Sequence, residues 1–339
     1  MARAGTKPDA REMMLRAAQL YYERGLPQKE VAKRLLVSRP EVSRLLTRAR
    51  SEGIVRITVV PPTSQEYLEA LRVKLASAFS LQHVALAPGR QEVPDQETLH
   101  SLLHLIAAEA AAFLDSVIGD EDVLAVAWGY NTRNVMRHLR PSKILPGLTV
   151  VPMLGCLTHR MDLFDSNGLA RDFALAYGAR YLGLPAPAIV RGADQRRVAA
   201  ELPLVKETLE ALGGATIAVT SLAPATRNTT AVRDGFVRPE ELDRLVECGA
   251  MGEMCGWYFD ERGRAVTPKD VECFPIGMGL DMLRDMVIEG RGLVIGIAGA
   301  DETRYGPILA ALQGRLVNVL ATDHVTAVRL LEMADASAA

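Results

Sequence analysis

From residue 84 onward, short unbroken apolar runs alternate with amphipathic helical stretches. The runs cover 84–87, 123–127, 149–153, 216–220, 293–298 and 316–321. The helical stretches lie near 97–115, 132–139, 166–177, 203–212, 239–247, 305–313 and 323–334. A strand without a polar face must be covered on both sides. Intervening helices supply that cover and let successive strands run parallel. The pattern predicts an α/β, Rossmann-like domain with a mainly parallel sheet. Hydrophobic residues make up 49% of the chain and charged ones 24%, the balance of a chain that buries a sizeable core.

In such a sheet, ligands collect beyond the carboxyl ends of the strands. Trp128-Gly129-Tyr130-Asn131-Thr132 passes from a strand into a helix whose first amides suit an anion, with Asn131 and Thr132 as extra donors. Gly155 and Cys156 follow the next strand, with Arg160 and Asn167 beyond them. Gly299 to Arg304 follows the 293–298 run, and Asp323 ends the last strand. Glu253 and Asp260 stand beside turns in a glycine-rich stretch. Taken singly, each position fits ordinary loop geometry. Converging on one sheet edge, they favour a small polar ligand, phosphorylated by preference.

The stretch 28–50, QKEVAKRLLVSRPEVSRLLTRAR, follows another pattern. Val31, Ala32 and Leu35 form one helical stripe, and Val42, Leu45, Leu46 and Ala49 form a second. Only Leu36-Val37-Ser38 separates them, which predicts a tight turn. Ser38 suits the cap of the second helix, Glu41 can complete a capping box, and Pro40 is harmless in a first turn. Two short helices so joined make a helix-turn-helix, whose second helix enters the DNA major groove. Base reading is expected from Arg39, Pro40, Ser43 and Arg44. Phosphate contacts are expected from Lys33, Arg48 and Arg50, and Gln28 and Ser38 complete the DNA-facing set.

The charge distribution agrees. Residues 1–60 carry 13 Lys/Arg against 6 Asp/Glu, a net of +7, whereas the rest carries 26 against 35, a net of −9. A basic head on an acidic body predicts a nucleic-acid module joined to a domain of another kind. Pro61-Pro62 marks the boundary. The expected division is a DNA-binding domain at 1–60, a linker at 61–63, and an effector-binding and oligomerisation domain at 64–339. A first helix should run from Asp9 to Arg24, a strand should cover 54–59, and Ser64 should cap a helix reaching Phe79.

No apolar run approaches the roughly 20 residues that span a bilayer. The N-terminal MARAGTKPDAREM lacks a signal-peptide core, so the expected location is cytoplasmic. Cys156, Cys248, Cys255 and Cys273 form no CxxC pair and are expected to be reduced and buried. His100 and His104 stand four apart, but HSLLH lacks a zincin glutamate. Neither metal nor cofactor is expected. Two other readings stay open. One, suggested by the family resemblance below, is a sugar-phosphate isomerase or deaminase with a DNA-binding head, and the other is an assembly protein with a vestigial pocket.

The segment 21–59 resembles the N-terminal domain of the SorC family of sugar-responsive transcription regulators. LAVAWGYNT, VVPMLGC, NGLARDFALAYGARYLGLPAP, GAMGEMCGWYFDERG, VIGIAGADET and NVLATDHVTAVRLL resemble its effector domain, in the family's order. The resemblance implies a sugar-phosphate isomerase-like fold without turnover, a sugar or sugar-phosphate effector, operator DNA as partner, and a dimer or tetramer. By family analogy the expected direction of control is repression. The chain departs from the family at Glu41, Asn131, Cys156 and the 298–304 loop, where Arg304 is nearest to the usual lysine.

Overall fold

The computed structural model describes residues 10–55, 64–89, 96–156, 165–233 and 235–338. The chain divides into two units, Met1–Val59 and Val60–Ala339.

In the first unit, α1 (Ala10–Ala18) runs into a π-helical turn (Gln19–Glu23), followed by α2 (Gln28–Leu35) and α3 (Arg39–Ser51). The predicted single helix therefore changes pitch after Ala18, and Leu20 and Tyr21 both pack on the core. That core is Met14, Ala17, Val31, Val42, Leu45, Leu46 and Ala49. Leu36 closes α2 with a left-handed φ of 55°, a conformation costing a non-glycine residue roughly 1–2 kcal/mol. Its side chain is 92% exposed, so packing does not repay that strain. Ser38 Oγ accepts from the Glu41 amide at 3.3 Å, a cap worth about 1 kcal/mol. The capping box is only half made, because the Glu41 carboxylate binds Arg44 instead. Ile54 and Val55 lie in a bend rather than a strand, with the Val55 amide bonded to Ala49 O at 2.9 Å. The rest of the predicted strand, and Pro61-Pro62, lie outside the described residues.

The second unit contains β1 (His83–Ala87), β2 (Val123–Val126), β3 (Thr149–Pro152), β4 (Arg180–Tyr181), β5 (Ile189–Arg191) and β6 (Ile217–Ser221). It continues with β7 (Ala223–Pro224), β8 (Gly252–Met254), β9 (Trp257–Phe259), β10 (Cys273–Pro275), β11 (Leu293–Ile297) and β12 (Val319–Asp323). Seven of these form one sheet in the order β1-β12-β11-β6-β2-β3-β4, parallel throughout. The predicted parallel α/β domain is what forms.

Its helices are α4 (Gln65–Phe79), α5 (Gln96–Val117), α6 (Tyr130–His138), α7 (Ser166–Tyr177), α8 (Ala193–Ala200), α9 (Pro203–Gly213), α10 (Thr230–Arg233), α11 (Pro239–Glu247), α12 (Leu280–Ile288), α13 (Tyr305–Gln313) and α14 (His324–Ala338). Even in unbroken apolar strands the side chains alternate between faces. Val84, Leu86, Ala125 and Ala127 join α4, α9 and α12 to α14 in one core layer. Ala85, Ala87, Leu124 and Val126 join α5, α6 and α7 in the other.

Residues 223–275 leave the sheet. There β7, β8 and β9 pair antiparallel, and β10 pairs with β5, around a core that includes Leu242, Leu245 and Tyr258. The last strand starts three residues later than the pattern predicted. Asn318 bonds the Val294 amide at 2.7 Å and Gly292 O at 2.9 Å through its side chain, and the ladder begins beyond it. Contrary to expectation, Cys248 is exposed, whereas Cys255 is buried. Among the described residues no helix is long and apolar enough to cross a membrane.

Candidate functional site

The strand order reverses between β2 and β6. From β2 the chain proceeds outward to β3 and β4, and from β6 the other way to β11 and β12. Such a switch point leaves a crevice between the two carboxyl ends, because the two connections depart to opposite sides. A cleft of about 860 Å³ opens there. Its walls include Trp128, Gly129, Tyr130 and Asn131 after β2, and Thr220, Ser221 and Leu222 at the end of β6. Arg233, Glu253 and Cys255 come from the 223–275 excursion, and Asp301, Thr303 and Arg304 from the turn before α13.

Gly129 has φ +112° and ψ 171°, a conformation that side-chain-bearing residues rarely adopt. It places no side chain over the start of α6, so the first amides of that helix are left without a side-chain cap. A Cβ on Gly129 would stand 3.8 Å from Ser221 Oγ. The Ser221 hydroxyl is buried and has no hydrogen-bond partner among the described residues, which is unusual for a native polar group. Asn131 donates to Ile297 O at 3.3 Å, which fixes its amide at the cleft. Arg304 is aligned by Asp301 Oδ2 at 3.0 Å and donates to Leu222 O at 3.2 Å. Burial would raise the Asp301 carboxyl, but the Thr303 hydroxyl and Arg304 outweigh it and hold it below its usual value. Glu253 is buried, and its carboxylate accepts from the Gly256 amide. Burial pushes it up to about 7.

Of the residues expected at an effector site, Gly129, Tyr130, Asn131, Glu253 and Arg304 line this cleft. The others do not. Thr132 is fully buried, with its hydroxyl 3.5 Å from Trp128 O. Cys156 and Asn167 line a second hollow of about 730 Å³, with Arg133, Arg137 and Arg171. All of Asn167's bonding capacity is used there, by Tyr181, Cys156 and Leu184. Gly155 is a close-approach position, since a Cβ there would meet Ala186 O at 2.4 Å. Asp260 closes its own hairpin through the amides of Arg262 and Arg264, both at 2.9 Å. Both Asp323 oxygens are taken, by Ala300 N, Val325 N, Thr326 N and Thr326 Oγ1, which ties the 299–301 loop to α14. Gly299 is required beside it, because a Cβ would come within 2.6 Å of Asp323 Oδ2. Arg160 lies outside the described residues. Ser221 and Arg233 were missed by the sequence reading. Thr220-Ser221 was legible as a polar close to an apolar strand, whereas nothing local marks Arg233.

The first unit offers a different surface. Arg39, Pro40, Ser43, Arg44 and Arg48 are exposed on α3, and Ser38 and Lys33 are exposed beside it, with Gln28 half-buried at the start of α2. Three of the cations carry acidic partners nearby in sequence: Lys33 with Glu30 at 2.9 Å, Arg44 with Glu41 at 3.0 Å, and Arg48 with Glu52, just past the end of α3, at 2.8 Å.

Residues 64–332 match the family described as "Putative sugar-binding domain". The chain belongs to the SorC family of sugar-binding transcriptional regulators. Over 322 residues it is 28% identical to the deoxyribonucleoside regulator of Bacillus subtilis, covering 94% of this chain and 97% of that protein. It is 30% identical over 321 residues to the Escherichia coli K12 transcriptional regulator YjhU, covering 94% of each. The crystal structure of the full-length sorbitol operon regulator SorC from Klebsiella pneumoniae aligns with a TM-score of 0.67 and 25% identity, over 96% of this chain and 100% of that one. These relatives are regulators, and the SorC-family chain described here is a DNA-binding transcriptional regulator under effector control, not an enzyme.

Proposed function

We propose that the protein represses a carbohydrate catabolic operon in the cytoplasm. In this reading α3 reads the operator, and a phosphorylated sugar in the β2/β6 cleft controls its affinity. The observation that carries the reading is the chemistry of the cleft. Uncapped amides of α6, an unpartnered Ser221 hydroxyl and an oriented Arg304 converge at the switch point. A phosphorylated sugar presents an anion and several hydroxyls. Helix-start amides and a guanidinium suit the anion, Asn131 and Ser221 suit the hydroxyls, and Glu253 stands on the same wall. Residues 1–60 serve as the DNA-binding domain, 61–63 as linker and 64–339 as the effector and assembly domain. Arg39, Pro40, Ser43 and Arg44 read bases, while Lys33, Arg48 and Arg50 hold phosphates. One helix-turn-helix reads a half-site, so the working form is a dimer or tetramer.

The test begins with DNA selected from a random pool by the full chain. Binding is then followed by anisotropy as free and phosphorylated sugars are added. At least one sugar phosphate should release the DNA and raise the melting temperature of the protein. DNA binding that no sugar or sugar phosphate alters would overturn the reading.

A further inference from the structure

Glu253 is the one cleft carboxyl that the effector reading leaves without a defined state. It stands on β8 and is only 7% exposed. The following turn is rigidly specified, with Cys255 at φ +52° and Gly256 at φ +79°, and its Gly256 amide holds one carboxyl oxygen in place. No cation pairs with Glu253 among the described residues. Arg304, also on the cleft wall, is engaged by Asp301 and by Leu222 O, one residue before the Ala223 that pairs with Glu253. The titratable neighbours Cys255 and Tyr258 are both pushed up by burial and stay neutral near pH 7. The remaining charged or titratable groups lining the cleft are His100, Tyr130, Arg233, Asp301 and Arg304.

An ionised Glu253 would sit unpaired, out of water, beside a site meant for an anion. Both circumstances oppose the charge. Protonated, the same carboxyl offers an O–H donor. We infer that Glu253 enters the effector complex as a neutral carboxylic acid, donating its proton to an oxygen of an anionic ligand, so that anion binding takes up one proton. This rests on the cleft being the effector site. It makes Glu253 a specificity-determining residue: neutral, it admits anionic ligands, and ionised, it excludes them. The shift of its carboxyl to about 7 places the change within the working range of pH.

Sulfate is the probe, because it is a dianion that does not itself titrate between pH 6 and 8. Its affinity for the full-length protein and for Glu253→Gln is measured by calorimetry at both pH values. The parent should bind about tenfold more weakly at pH 8 than at pH 6, the limit for uptake of one proton by a group titrating midway. Glu253→Gln should lose most of that dependence, the remainder being what His100 contributes, and should bind at pH 6 about as tightly as the parent. Sulfate binding to the parent with no pH dependence, or an unchanged dependence in the variant, overturns the proposal and leaves the cleft reading standing. Failure of sulfate to bind either protein overturns the proposal and the anion-binding cleft together.

Discussion

Arg44 Nη1 lies 3.0 Å from Glu41 Oε2, one turn earlier on the same exposed face of α3. Both side chains are well exposed, so the pair adds only a few tenths of a kcal/mol to the helix. Its importance is to the surface, where an acid accompanies the arginine assigned to base reading. Approaching phosphates repel that acid. Glu41→Gln should therefore tighten binding to all DNA sequences, roughly two- to fivefold at low salt, measured by anisotropy against selected and random duplexes. Loss of affinity confined to sites with a particular cytosine would show instead that Glu41 accepts from cytosine N4.

Arg44→Ala should lower specific binding by roughly 1–3 kcal/mol, the usual cost of one good base contact. Arg48→Ala should weaken all sequences alike and reduce the salt slope by about 1. Gel-shift competition against random DNA separates the two. Operator preference surviving in Arg44→Ala would remove that residue from base reading.

The helix-turn-helix was legible because its stripes, cap and turn are all local in sequence. The parallel sheet was legible because residues without a polar face have to be covered twice. The antiparallel excursion was not, since β7, β8 and β9 are two or three residues long and show no period. The composition of the cleft was half legible. Strand ends pointed to Gly129, Asn131 and Arg304, but no pattern says which loops share a cavity. Tyr130 and Asn131 face the switch-point cleft, whereas Arg133 and Arg137, farther along α6, face the second hollow with Cys156 and Asn167. Asp323 looked like a ligand group because it ends a strand on the edge where ligands collect in such a sheet. In the folded chain both its oxygens are spent on holding the 299–301 loop and the start of α14.

Ser221→Ala is the cleanest probe of the cleft, because Gly129 cannot be substituted without straining its backbone. The hydroxyl has no partner to lose among the described residues, so the melting temperature should hold or rise slightly. Affinity for the sugar phosphate that stabilises the parent most should fall roughly 2- to 10-fold, the worth of one hydrogen bond. Unchanged ligand affinity would place the ligand away from the β6 end.

Glu253 also makes a stability prediction for the protein without ligand. Its carboxyl rises from 4.5 to about 7 on folding, so the folded state binds more protons than the unfolded one within that window. Stability is therefore lost as pH rises through the window and levels off above it. The total is on the order of 3 kcal/mol. Glu253→Gln should flatten the fall in melting temperature between pH 5 and 8 and be the more stable protein at pH 8. Parallel curves for parent and variant would show that Glu253 ionises normally.

The first strand of the sheet has a single neighbour, and that neighbour is the last strand: His83 pairs with Val319 and Ala87 with Asp323. During synthesis β1 emerges early and waits for nearly the whole domain before it can hydrogen-bond. Closing so long a loop is slow. Among the described residues the core of α1–α3 is drawn from residues 13–55, all of them synthesised before the sheet can close. A ribosome that stops short of Val319 releases a finished helical head on a body whose edge strand is bare. Loss of the final strand is thus a defect of sensing and assembly before it is one of the head.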